Sequence, residues 1–127
     1  MARKGAYQNI LLSKSLTVSG NNLSAITDNY LFVKAGSAVD TVVPAASGDL
    51  PLGVNDDTGI SGDSIAVNLV GITKLRLAGS VSAGNRLKVT SGTSDGRAIA
   101  ATVDEIYGAI ALQPGSSGEV IAALLKT

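Results

Sequence analysis

Apolar and polar positions alternate along most of this chain, and the clearest run follows a tight turn. After Gly62-Asp63, the residues Ile65, Val67 and Leu69 take one parity while Ser64, Ala66 and Asn68 take the other. A period of two puts successive side chains on opposite faces, as in a half-buried strand. Past Gly71 the parity continues through Thr73, Leu75 and Leu77, with Lys74 and Arg76 opposite. The pattern predicts one long strand bent at Gly71, a device by which small barrels close.

The same punctuation recurs. Gly48-Asp49 opens Leu50 to Val54, Gly84-Asn85 opens Arg86 to Thr90, and Gly118-Glu119 opens Val120 to Leu125. Glycine accepts the positive φ of a turn, and a following Asp or Asn bonds back to nearby amides. The four pairs stand at successive offsets of 14, 22 and 34 residues. That is too irregular for a solenoid or propeller, so they read as the turn grammar of one β domain. Further strands are predicted at Tyr30 to Lys34, at Asp40 to Val43 ended by Pro44, and near Tyr107 to Leu112, whereas Ala98 to Ala101 also tolerates helix.

Residues 1 to about 8 contain Arg3, Lys4 and Tyr7 and little apolar content, which reads as an arm. Beyond them Ile10, Leu12, Leu16 and Val18 share a parity that Lys14 interrupts. The expected organisation is an N-terminal arm or edge strand over 1–22 and a compact β domain over 23–127. Its class is all-β: a single small β-barrel or β-sandwich of short antiparallel strands. Fully extended, an arm of about 20 residues spans roughly 65 Å, far enough to lie on a neighbouring molecule.

Composition sharpens this. The chain has 127 residues, with 45% hydrophobic but only 3% aromatic, so one core is built from Val, Ile, Leu and Ala. Ten basic and ten acidic residues cancel, which disfavours nucleic acid as a partner because phosphate neutralisation supplies most of that affinity. Ser13, Lys14 and Ser15 interrupt the apolar segment that an export signal needs, and no run is long enough for a membrane-spanning helix.

Candidate chemistry is sparse. With no His, Cys or Trp, Ser-His-Asp triads, cysteine nucleophiles and imidazole metal sites are absent, and no enzyme activity or cofactor is expected. Asp56, Asp57 and Asp63 read as turn-capping side chains. A Ca²⁺ site from these and Asn55 is the alternative, lacking EF-hand spacing. The glycine-rich span Gly79 to Asn85 lacks the Gly-Lys-Ser/Thr ending of a phosphate loop. Lys74, Arg76, Arg86 and Lys88 form two pairs at strand spacing; if their strands pair, all four share one face, either as solvated side chains or as a contact with an acidic partner.

From about Tyr30 onward Phe32-Val33-Lys34-Ala35-Gly36, Pro51-Leu52-Gly53-Val54, Ser61 to Gly71 and Tyr107-Gly108-Ala109-Ile110-Ala111-Leu112 follow one another in that order. In these motifs the chain resembles the capsid decoration or cement proteins of tailed phages, of the DUF2190 type. The resemblance implies a compact β domain on the outer surface of an expanded capsid, commonly a homotrimer, bound to the major capsid protein and stabilising the shell against internal pressure. Such a protein is made in the host cytoplasm and ends in the virion. The resemblance brings no small-molecule substrate and no catalytic residue.

On this reading the capsid or subunit contacts are Arg3, Lys4, Tyr7, Ile10, Leu12, Leu16 and Val18 of the arm, with Lys74, Arg76, Arg86 and Lys88. Ile10 to Val18 would add a strand to an exposed edge on a neighbour. The alternative is a β-rich interaction module of another phage assembly, a tail or fibre component. A third reading is a carboxylate-dependent hydrolase or metal enzyme using Asp56, Asp57 and Asp63.

Overall fold

The computed structural model describes residues 9–18, 26, 28–90 and 96–125, with side chains from Lys14 onward. Nine strands carry the described chain: β1 (Asn9–Val18), β2 (Phe32–Ala35), β3 (Thr41–Pro44), β4 (Gly53–Asn55), β5 (Ser64–Arg76), β6 (Arg86–Val89), β7 (Ala98–Ala100), β8 (Ala109–Ala111) and β9 (Val120–Leu125). No helix occurs among the described residues. The architecture is all-β, as the alternation predicted, and the 98–101 segment resolves to strand because β6 pairs with it.

The long bent strand is the organising element. Its first half pairs with β1 and β4, and the order β1-β3-β2-β4-β5 returns to β1, closing a five-stranded barrel. Its second half pairs with β9, followed by β8, β6 and β7. An isolated parallel bridge between Leu77 and Ala98, with the Ala78 N–H donating to the Ala98 carbonyl at 2.8 Å, brings that series back to its start. The small β-barrel or β-sandwich expected from sequence is present as the five-stranded barrel, and the strands beyond it close in the same manner into a second barrel on the shared β5. Gly71 sits at the change-over with φ 109, a conformation that residues with a Cβ rarely adopt.

The two barrels are copies of one plan. In the first, β2 meets β3 at Val33–Pro44 and Lys34–Val43; in the second, β6 meets β7 at Leu87–Ala100 and Lys88–Ile99. The parallel closure Val18–Val42 is repeated as Leu77–Ala98. The isolated bridge Ile26–Gly59 is repeated as Val81–Gly115. From Val42 onward the offset is constant: Glu119 stands 56 positions after Asp63, and Ile121 the same after Ile65. The turn grammar is therefore a tandem repeat after all. Its trace in sequence is Gly59-x-Ser61-Gly62-Asp63-x-Ile65-Ala66 against Gly115-x-Ser117-Gly118-Glu119-x-Ile121-Ala122.

The cores repeat as well. Leu16, Val18, Ile26, Val33, Val42, Ile65 and Val67 fill the first barrel, and their counterparts Leu75, Leu77, Val81, Leu87, Ala98, Ile121 and Ala123 are buried in the second. Three of these counterparts are smaller, Val81 for Ile26, Ala98 for Val42 and Ala123 for Val67. The room is filled from the first half: Phe32, Ala45 and Val54 belong to the second cluster. Phe32, the single phenylalanine, is wholly buried there. Burying such a side chain contributes about 1.5–3 kcal/mol.

Candidate assembly surface

The candidate contact residues fall into three groups. Arg3, Lys4 and Tyr7 lie outside the described residues. Ile10 and Leu12 are placed by their backbone in β1, opposite Gly71 and Val70 of the same chain. Leu16 and Val18 are interior side chains, 5% and 1% exposed, packed in the first barrel's core. The strand expected to add to a neighbour is thus paired along its own β5, and the Leu16 and Val18 side chains face inward.

The four cations are arranged differently from the sequence expectation. β5 and β6 are not neighbours, because β9 and β8 stand between them. Lys74 lies opposite Ala122 on β9, and Arg86 opposite Ile110 on β8, which in turn faces Leu124. Residues directly opposite in a ladder share a face, so all four cations point outward from the second barrel, around an aliphatic centre that includes Leu124, 41% exposed.

Each cation is held by a different partner. The Lys74 ammonium lies 5.6 Å from the centre of the Tyr30 ring, and the Arg86 guanidinium 5.1 Å from that of Tyr107. Arg76 Nε donates to the Asn29 carbonyl at 3.3 Å, and Arg86 Nη1 to the Val103 carbonyl at 3.1 Å. Only Lys88 of the four makes an ion pair among the described residues, with Glu105.

That pair is part of the repeat. Lys34 of β2 meets Asp49 at 2.9 Å in the first barrel, as Lys88 of β6 meets Glu105 in the second. Both carboxylates also close a turn: Asp49 Oδ2 accepts the Ala46 N–H, and Glu105 Oε1 accepts the Thr102 N–H, each at 2.8 Å. The Lys88 ammonium, then the Thr102 amide and hydroxyl, hold the Glu105 carboxyl down at about 2. The Lys34 ammonium and the Ala46 amide lower Asp49 in the same sense. Both loops reach one shallow hollow of about 170 Å³, where Asp49, Lys88, Glu105 and Ile106 meet. Leu50 and Ile106, the residues after each acid, are 65% and 52% exposed.

The aspartates act on the backbone. Asp63 Oδ2 accepts the Ile60 N–H at 3.0 Å, and Asp57 Oδ2 accepts the Ala66 N–H at 3.1 Å. Among the described residues, no group of three or more Asp, Glu, His or Cys is placed to hold a metal ion. What the described surface offers is contact chemistry: aliphatic tips beside fixed charges.

No family model matches the chain, so the DUF2190-type resemblance finds no counterpart there. No curated protein matches it either. Among solved structures, the chain is similar in fold to the head fiber gp8.5 N base of bacteriophage phi29, with a TM-score of 0.68 at 16% identity over 91% of this chain and 93% of that one.

Proposed function

We propose that this chain is a non-catalytic structural protein of a phage head that attaches to the outside of the expanded shell and reinforces it against the pressure of the packaged genome. The observation that carries this reading is the whole-length fold likeness to a phage head fiber base. The reinforcing role in this reading comes from the motif resemblance to decoration proteins. A chain with no His, Cys or Trp, in which Asp49 and Asp63 close turns, suits a part that works by shape.

The mechanism is mechanical. A shell offers many identical sites, and a homotrimer engaging several capsid subunits gains avidity because the later contacts form at high effective concentration. Binding only the expanded lattice stabilises that lattice by mass action. A second reading, the base of a fibre or another phage assembly component, is favoured by the structural neighbour, which is itself the base of a phage head fiber. Incubating the purified protein with purified expanded and unexpanded shells separates these readings. Saturable occupancy on expanded shells, with a raised shell disruption temperature, is expected for reinforcement. Occupancy without any gain in shell stability indicates a fibre base, and no occupancy on either shell overturns both.

A further inference from the structure

The two halves share a backbone plan, so the places where their surfaces differ are informative. At the tip of the β4–β5 loop the first half carries Ile60, 62% exposed, between the exposed carboxylates of Asp57 and Asp63. The matching positions of the second half are Ser116, Gln113 and Glu119, so the aliphatic tip exists only once.

The second half carries a complementary feature. A shallow hollow of about 330 Å³ lies over Val120, Ile121 and Ala122, bounded by Lys74 and Gln113. In the first half Ser64 stands for Val120 and Ser15 for Lys74, so a floor whose half-buried aliphatic side chain is Val120, beside the Lys74 ammonium and the Gln113 amide, also exists only once. Among the described residues, Lys74, Arg76, Asp57 and Asp63 make no ion pair. Tip and hollow sit at opposite ends of β5, with Asp63 just before it and Lys74 near its end. At roughly 3.3 Å per residue about 36 Å of strand separates Asp63 from Lys74, and the two sit on different barrels of one chain.

We propose that a second copy of this chain seats its Ile60 tip in the hollow over Ala122, with its Asp57 and Asp63 against Lys74 and Arg76. The contact is head-to-tail, using a different patch on each copy, so it propagates until the rotation closes a ring. The acidic rim against the cationic rim sets orientation, and the aliphatic tip excludes water from the centre. This contact joins copies of the chain to each other and is independent of attachment to a shell.

Sedimentation velocity of the full chain, without shells, at low and at high salt tests it. A closed oligomer at low salt that weakens as salt rises is expected. Ile60→Ser, which installs the residue the second half carries, lowers self-association about tenfold or more with an unchanged circular dichroism spectrum. Lys74→Glu and Asp57→Lys each do the same, and the chain carrying both reversals regains association. A monomeric wild type, an oligomer untouched by Ile60→Ser, or a double reversal no better than either single change overturns the proposal.

Discussion

The ring of Phe32 occupies the space that a side chain at Gly108 would need: a Cβ there comes 2.9 Å from Phe32 Cε1 and 2.8 Å from Pro51 Cγ. A residue of the first barrel thereby dictates a glycine in the second. Gly108→Ala is expected to cost about 1–3 kcal/mol by overpacking, and Phe32→Ala about 3–5 kcal/mol by leaving a cavity. Because truncating the ring makes room for the new methyl, the double variant should lose less than the two singles together. Urea unfolding of the four proteins reads this directly, and strict additivity would count against the packing described.

A second pair reports on the change-over between barrels. Asn68 and Thr73 are buried on either side of Gly71, and Asn68 Nδ2 donates to Thr73 Oγ1 at 2.9 Å. Asn68 Oδ1 is buried with no donor in reach among the described residues. Thr73→Val should cost about 1–3 kcal/mol by orphaning a buried amide donor. Adding Asn68→Leu, the residue at the matching position 124, should recover most of that loss. Chemical denaturation at one pH and temperature checks the order of stabilities.

Acid should weaken the fold in a defined window. Glu105 goes from an ordinary 4.5 to about 2 in the folded chain, chiefly through Lys88, and Asp49 is lowered chiefly through Lys34. Such carboxyls bind protons less readily when folded than when unfolded. Their stabilisation is therefore complete above the unfolded value and is lost as pH falls toward the folded one. Stability should fall between about pH 4.5 and 2, and Glu105→Gln should flatten that part of the profile. Urea midpoints across this range decide it; an unchanged slope would rule out the linkage.

Neither half should fold alone. A fragment of residues 72–127 would keep its own strands but lose Phe32, Ala45 and Val54 from its core. A fragment of residues 1–71 would leave the same three side chains uncovered. Both should lack the cooperative thermal transition of the whole chain, and a dispersed amide spectrum from either fragment would contradict this.

Much of this fold was legible because it rests on local alternation. The bend at Gly71, the last strand Val120 to Leu125 and the stop at Pro44 all follow from parity and turn chemistry. The repeat was not, because Gly84-Asn85 stands between the matching pairs Gly62-Asp63 and Gly118-Glu119 and breaks their 56-residue spacing. Divergence between the copies, such as Asn55-Asp56-Asp57 against Ala111-Leu112-Gln113, hides the rest. The basic surface depended on which strands are neighbours, and nothing near Lys74 or Arg86 in sequence says that β9 and β8 come between them. Ala98 to Ala100 became strand because β6 was there to pair with it, a tertiary decision that propensity does not make.

The sharing of β5 has a mechanical consequence. A tension entering at Ser64 and leaving at Arg76 runs along a strand paired with β1 over its first half and with β9 over its second. Those hydrogen bonds lie across the line of pull and are loaded in shear, many at once, instead of being peeled one by one. The strand acts as a tie rod through both barrels, so a load applied along it meets the resistance of the whole ladder.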